Sequence, residues 1–284
     1  MKILFLSHYK WPHIGGVEKH IDRVAKELER KEHNVKIISE KDIKYPHIKF
    51  LGLLYIWCWL FKNRNLIKKV DIIHIHDVFI WYLPFRFLYP KKVVYTTFHG
   101  GQGKWPTPFK DKLIVKVAAK LSNGIICVGD FIPKYFSIKP DYVTYGGVDK
   151  IQKSKRKKDK LIIFLGRLEK ETGVYEFIER LKVKGQGLRV EFVGDGSLRN
   201  ICEKYGVVHG FCDATPFLEK ASICFAGGYL SALEALERGC ELWTGANTPI
   251  KEDYWKMFPY KKGDRLPSWK DVSDIYESLY LHNS

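Results

Sequence analysis

Four short glycine motifs stand where chemistry would be done: Gly15-Gly16, Gly166-Arg167, Gly194-Asp195-Gly196 and Gly227-Gly228. Each falls between an apolar β-type run and a helical run. Glycine lets a backbone approach a ligand closely, and the free N–H groups of a helix N-terminus attract phosphate. Arg167 adds a planar guanidinium that matches a pair of phosphate oxygens. Any one of these motifs is also the ordinary mark of a tight turn. Four of them in one α/β chain favour a phosphorylated ligand held in a cleft. Histidines form the second group. His74 and His76 alternate on a strand and share one face; a metal site there would need further His and Asp at later strand ends, so packed histidines near the cleft are the better reading. His99 opens the run Gly100-Gly101-Gln102-Gly103-Lys104-Trp105, which reads as a mobile acceptor-side loop.

These motifs are positioned by alternating strands and helices, the pattern of parallel α/β architecture. Strands are predicted over 3–6, 35–39, 71–75, 93–97, 124–128 and 142–145, with helices over 17–30, 53–69 and 109–121. In the first helix Val17, Ile21, Val24, Ala25 and Leu28 recur at helical spacing. Seven basic residues crowd 150–160, a polar linker. The pattern then restarts with strands at 161–165, 189–193, 207–208, 223–225 and 242–244. Helices are predicted over 174–181, 198–205, 215–220 and 230–238, and an amphipathic segment over 269–280 through Val272, Ile275 and Leu279.

Composition narrows the function. In 284 residues, 45% hydrophobic and 28% charged residues exclude wholesale disorder, and 48 Lys plus Arg against 32 Asp plus Glu give a formal charge of +16. The charge implies an anionic partner. A nucleic-acid binder would carry a recognisable module, and none is visible, so no nucleic-acid partner is expected. The six cysteines lack metal or disulfide spacing and suggest a reducing cytoplasmic compartment. The N-terminal run reads as a strand and not as a signal peptide. The apolar run 50–61 is too short to span a bilayer. It is either a helix packed on the sheet or an interfacial helix, with Tyr55, Trp57 and Trp59 at headgroup level and Lys62, Arg64, Lys68 and Lys69 on anionic lipid. Signatures of dinucleotide oxidoreductases, P-loop NTPases, α/β-hydrolases and zincins are absent.

Taken in order, Gly15-Gly16-Val17-Glu18-Lys19-His20, Asp71 to His76, Gly147-Val148-Asp149, Gly166-Arg167-Leu168, Val193 to Arg199, and Gly227-Gly228-Tyr229 through Leu233-Glu234-Ala235-Leu236 to Gly239 resemble a family 4 glycosyltransferase of GT-B fold. The resemblance implies two Rossmann-like doubly wound domains facing across a cleft, with a C-terminal helix crossing back to the N-terminal domain. The expected organisation is an acceptor-side domain 1–149, the linker 150–160, a nucleotide-sugar domain 161–267 and a helix 268–284. It further implies a retaining, metal-independent transfer from a UDP- or GDP-sugar to a glycan or lipid-linked acceptor, with no cofactor beyond the donor. The chain would be cytoplasmic, with any membrane contact peripheral, at the inner face.

By the same resemblance, Gly15 and Gly16 close over the donor phosphate and shape the acceptor site. Arg167 neutralises the diphosphate, Glu234 holds the ribose hydroxyls, and Gly194, Gly227 and Gly228 complete the donor loops. His99 lines the reaction centre, with His76, Gly100, Gly101, Lys104 and Trp105 on the acceptor side. The sequence departs from the family pattern twice. The lysine that follows the arginine falls on Thr172, with Lys170 two residues earlier, and the first glutamate of E-x7-E falls on Ala226. These departures motivate an alternative: a catalytically silent GT-B subunit that binds nucleotide or glycan and partners an active transferase. An epimerase of the same fold would need further cleft carboxylates.

Overall fold

In the computed structural model, which describes residues 1–10, 15–48, 51–100, 105–151, 159–185 and 187–282, the chain divides into two units. One comprises Met1–Thr144 with Trp269–Ser284, the other Tyr145–Ser268. Both are α/β units built on parallel sheets.

In the first unit the chain runs β1 (Lys2–Ser7), α1 (Gly16–Arg30), β2 (Asn34–Ile38), α2 (Glu40–Ile43), α3 (Leu51–Lys62), α4 (Asn65–Lys68), β3 (Ile72–His76) and α5 (Phe79–Leu88). It continues through β4 (Val93–Phe98), α6 (Phe109–Leu121), β5 (Gly124–Val128), α7 (Phe131–Phe136) and β6 (Tyr142–Thr144). The strands lie in the order β2-β1-β3-β4-β5-β6. All five residues of β3 and of β5 are buried, as expected of parallel strands covered on both faces. The helix Trp269–His282 belongs to this unit and lies along α1, where Lys31 bonds Asp274 and Glu277 and His33 meets Glu277 at 3.0 Å.

The second unit runs β7 (Asp159–Leu165), a 3-10 turn (Lys170–Thr172), α8 (Val174–Lys184), β8 (Arg189–Val193), α9 (Arg199–Cys202), β9 (Val207–Val208) and α10 (Thr215–Lys220). It closes with β10 (Ala221–Ala226), α11 (Tyr229–Glu237), β11 (Glu241–Trp243) and α12 (Pro249–Lys256); the C-terminal helix is α13. Strand order is β11-β10-β7-β8-β9. Period-two alternation along β7 divides the core: Ile162 and Phe164 pack with Phe177, Phe192 and Phe225 on one face, and Leu161, Ile163 and Leu165 with Leu218 and Ala235 on the other.

Several sequence expectations shift. Residues 145–149, expected in the first domain, join the second unit because the Val148 N–H donates to the Pro267 carbonyl at 2.9 Å and Tyr145 Oη donates to the Met257 carbonyl at 2.8 Å. Asp159 and Lys160, expected in the linker, already belong to β7; residues 152–158 lie outside the described residues. The helix expected over 53–69 breaks into α3 and α4, where the Asn63 amide donates to the Trp59 carbonyl at 2.8 Å and caps the end of α3. The helix expected over 198–205 shrinks to α9. Four helices were not foreseen: α2, α5, which runs through Pro84, α7, and α12.

Candidate functional site

In the second unit the chain leaves β7 for β8 and β9 on one side and returns to β10 and β11 on the other. This makes the gap between the carboxyl ends of β7 and β10 a topological switch point, where open α/β sheets bind ligands. Three of the glycines meet there. Gly166 has φ +150°, and a Cβ on it would lie 3.2 Å from Gly227 Cα. Gly194 has φ +149° and packs so closely on the Gly166 carbonyl that any side chain would collide with it. The backbone is therefore bare where these strands end, and no larger residue satisfies both conformation and space.

Arg167 follows Gly166 with its side chain exposed and its guanidinium 3.4 Å from Glu171. Glu171 is itself partly exposed, so this is a weak surface pair that an anionic ligand can displace. Thr172 is buried. Its hydroxyl lies 2.6 Å from the Arg167 carbonyl and 2.8 Å from the Glu169 carbonyl, shares its single hydrogen between them, and accepts from the Glu169 N–H at 3.3 Å. Thr172 thus braces the loop that presents Arg167. Lys170 is exposed, and its carbonyl accepts from the Asn247 amide at 2.8 Å. At the start of α11, Gly228 N–H donates to Ser231 Oγ at 3.0 Å and Tyr229 N–H to Tyr254 Oη at 2.6 Å. Glu234 lies half-buried further along α11, and Ala226, where the family pattern has a glutamate, is fully buried at the end of β10.

The sequence reading missed Lys251. It stands on α12 with 2% exposure, and its ammonium donates to the Gly227 carbonyl at 3.1 Å. It also lies 4.2 Å from the Tyr254 ring centroid and 5.1 Å from that of Trp255. Burial, followed by the like charge of Arg167, pushes it down to about 7, against the opposing pull of Glu171 and Glu176. The signal for α12 was in the sequence: Thr248 is its N-cap, accepting from the Lys251 N–H at 3.3 Å, and Pro249 opens its first turn.

In the first unit, β1 and β3 flank the corresponding switch point, with His76 ending β3 beside Ser7. Four buried histidines gather here. His76 Nδ1 lies 2.9 Å from His99 Nε2, and His99 N–H donates to the Asp77 carboxylate at 2.9 Å. His74 bridges Tyr280 Oη and Thr97 Oγ1, each at 2.7 Å, while His20 Nε2 and Thr97 Oγ1 each lie 3.0 Å from Tyr276 Oη. Burial pushes His20 and His74 down to about 3 and drives His76 and His99 well below the usual histidine range. All four are therefore neutral near pH 7, and His99 acts there as a hydrogen-bonding group without charge. His76 Nε2 is buried with no hydrogen-bond partner. Among the described residues no group of three or more His, Cys, Asp or Glu is placed to hold a metal.

Gly15 is the N-cap of α1 and Gly16 its first residue. The buried Glu18 carboxylate turns back over Gly15, so this helix end already holds an anion where the sequence reading expected phosphate. Gly100 follows His99, and Trp105, half-exposed, meets the Tyr135 ring edge-on at 5.8 Å. Gly101 and Lys104 lie outside the described residues. The structure thus brings Gly166, Arg167, Thr172, Gly194, Gly227 and Gly228 together in one unit and His76 with His99 in the other. Beside the first unit's switch point a hollow of about 390 Å³ is lined by Tyr9, Lys10, Ser39, Glu40, Lys41, Lys44, Tyr45 and His47.

Residues 14–139 match the model of Glycosyltransferase Family 4. No curated protein matches the sequence. Among solved structures the chain resembles HepE of Anabaena in complex with UDP and glucose, at TM-score 0.66 and 16% identity over 99% of this chain and 90% of that one. It also resembles the apo lipopolysaccharide outer core galactosyltransferase WaaB, at 0.61 and 16% over 100% and 92%. The UDP-GlcNAc 2-epimerase of Methanocaldococcus jannaschii follows at 0.57 and 12% over 99% and 100%, so the fold is shared with epimerases. The chain has the GT-B fold of these structures, and residues 14–139 of its first unit match Glycosyltransferase Family 4.

Proposed function

We propose that this chain is a glycosyltransferase, a retaining, metal-independent enzyme that moves a sugar from a UDP- or GDP-sugar to a glycan or lipid-linked acceptor. The observation that carries the donor half is the cradle of Gly166, Gly194 and Gly227 at the β7/β10 switch point, with Arg167 exposed beside it. In this reading Arg167 and the loop N–H groups take the diphosphate, and Glu234 takes the ribose. The acceptor hydroxyl oxygen bonds to the anomeric carbon as the bond from that carbon to the diphosphate oxygen breaks. The hydroxyl proton passes to the leaving diphosphate, whose charge Arg167 stabilises. No cofactor beyond the donor takes part. UDP is the first nucleotide to test, because the HepE structure holds UDP and glucose.

The acceptor half is supported by the 390 Å³ hollow, whose tyrosines suit a sugar face and whose Glu40 carboxylate suits sugar hydroxyls. A neighbouring hollow shares Tyr45 and His47 and runs along α3. That helix buries Gly52, Ile56 and Leu60 and exposes Leu51, Leu54, Tyr55 and Phe61. Its Trp57 indole donates to the Ile80 carbonyl at 3.0 Å, so Trp57 packs inward and the exposed residues are the candidates for a lipid surface. Lys62, Arg64 and Lys68 follow, all exposed, and an anionic membrane complements them. Among the described residues no helix is long and apolar enough to cross a membrane, so such contact would be peripheral.

Titration calorimetry of the purified chain with UDP and GDP tests the donor half, with Arg167→Ala and Glu234→Ala alongside. Micromolar binding of one nucleotide, lost in both variants, is expected. The second reading, a silent subunit, draws on Thr172 and Ala226, which supply neither a cation nor a carboxylate. Donor turnover by the chain alone excludes it.

A further inference from the structure

We propose that Lys251 is a positioning residue of the donor site, carrying the second positive charge beneath the diphosphate loop where Thr172 supplies none. The inference rests on the donor reading above. Thr172 and Lys251 converge on one short segment from opposite sides. A Cβ on Gly227 would touch Thr172 Cβ at 3.4 Å and Gly166 Cα at 3.4 Å, while the Gly227 carbonyl accepts from the Lys251 ammonium at 3.1 Å. Helix α12 thus delivers a cation to the glycine that closes the switch point, although α11 and β11 separate the two in sequence. At 2% exposure the ammonium lies under the loop and acts through it. It fixes the Gly227 carbonyl, and with it the peptide leading to Gly228, and adds a positive field that solvent screens little.

The charged groups facing Lys251 explain what a ligand would change. Arg167 on the loop after β7 repels its proton, while Glu171 on the 3-10 turn and Glu176 on α8 retain it. Glu176 Oε2 is buried without a hydrogen-bond partner, so the pocket holds an acidic group not tied into an ion pair there. A lysine held near 7 is mostly neutral at pH 8. A diphosphate at the loop brings negative charge that raises its proton affinity, so binding draws a proton from solvent. At pH 8 free UDP is fully ionised, since a terminal phosphate gives up its last proton near about 6, and the proton must come to the protein.

The test is calorimetry of UDP binding to the whole chain at pH 6 and pH 8, each in two buffers of different ionisation enthalpy. The expected result is uptake on the order of 0.8 proton at pH 8, for a group raised by about two pKa units on binding. At pH 6 it is a net release of roughly 0.4 proton, because Lys251 is already charged there while half-protonated UDP gives up its last proton. Lys251→Met abolishes the uptake and weakens UDP binding at pH 6 by about tenfold or more. Lys256→Met, exposed on the same helix, changes neither. UDP binding to the wild type without uptake at pH 8 overturns the inference and leaves the donor reading intact. Unaltered affinity and uptake in Lys251→Met do the same. Absence of any nucleotide binding by the wild type overturns both. The wild-type proton balance decides the matter if Lys251→Met does not fold.

Discussion

Acidification should unfold the unit of Met1–Thr144 well before most of its carboxylates are protonated. His20, His74, His76 and His99 are buried, and their folded-state pKa values lie far below the ordinary 6.5. A histidine depressed in this way binds its proton only in the unfolded chain. Stability is then full above the unfolded value near 6.5 and is lost as the pH falls below it. At pH 5 each such histidine costs about 2 kcal/mol, and four of them about 8 kcal/mol. The sum is additive because it arises in the unfolded chain, where the four titrate independently. It is comparable to the whole stability of a domain, about 5–15 kcal/mol. Asp42, Asp274 and Glu277 are held below their ordinary values and lose stability only under about pH 4.5. Desolvation pushes the Asp77 carboxyl up to about 6, so it takes up its proton in the folded state and offsets at most about 1.4 kcal/mol of the loss, less where solvent reaches the residue. The net slope between pH 7.5 and 5 is therefore set by the histidines, reduced by Asp77. Urea titrations at pH 7.5, 6 and 5, followed by circular dichroism, should show the midpoint falling by several molar units, since m is roughly 1–3 kcal/mol/M. His20→Gln or His74→Gln should each remove about 2 kcal/mol of that pH dependence, whatever it does to absolute stability. Equal stability at pH 7.5 and 5 would refute the reasoning.

Three further outcomes are expected. Lys251→Met should flatten the rise in stability of the second unit between pH 6 and 9 by about 2–3 kcal/mol, because the buried amine binds fewer protons folded than unfolded in that range; urea titration of both proteins at both pH values checks it. Gly194→Ala should destabilise the second unit by about 3 kcal/mol or more, since its Cβ would strike the Gly166 carbonyl and φ is +149°; an unchanged urea midpoint would count against the packing described. Leu54→Glu with Phe61→Glu should leave the melting temperature within about 2 °C and abolish flotation with anionic vesicles, whereas retained flotation would remove α3 as the lipid-facing surface.

Much of the fold was legible because it is written in local patterns. Short β-branched, apolar runs placed nearly every strand within a residue or two, and the helical spacing of Ile21, Val24, Ala25 and Leu28 placed α1. The misses have physical causes. In α5 a proline and a crowd of aromatics obscured the helical period, and in α3 the exposed residues are as apolar as the buried ones, so periodicity could not mark where the helix ends or which face packs. On α13 the sequence pointed to Val272, Ile275 and Leu279; Val272 and Leu279 are buried, but Ile275 is only half-buried and the packed face continues through Tyr276 and Tyr280.

The sequence by itself determined that glycines and Arg167 would stand at strand ends, because strand–turn–helix junctions are set by neighbours in the chain. Only the tertiary structure decided which distant groups meet there. His20 finds Tyr276 across 256 residues, His74 finds Tyr280 across 206, and Lys251 reaches back to Gly227 from a helix not foreseen. Such partners are chosen by strand order and helix docking, which no local period encodes. Burial then sets their charge: the same imidazole or amine that would be protonated in water becomes neutral, or poised, only once its neighbours have displaced the solvent.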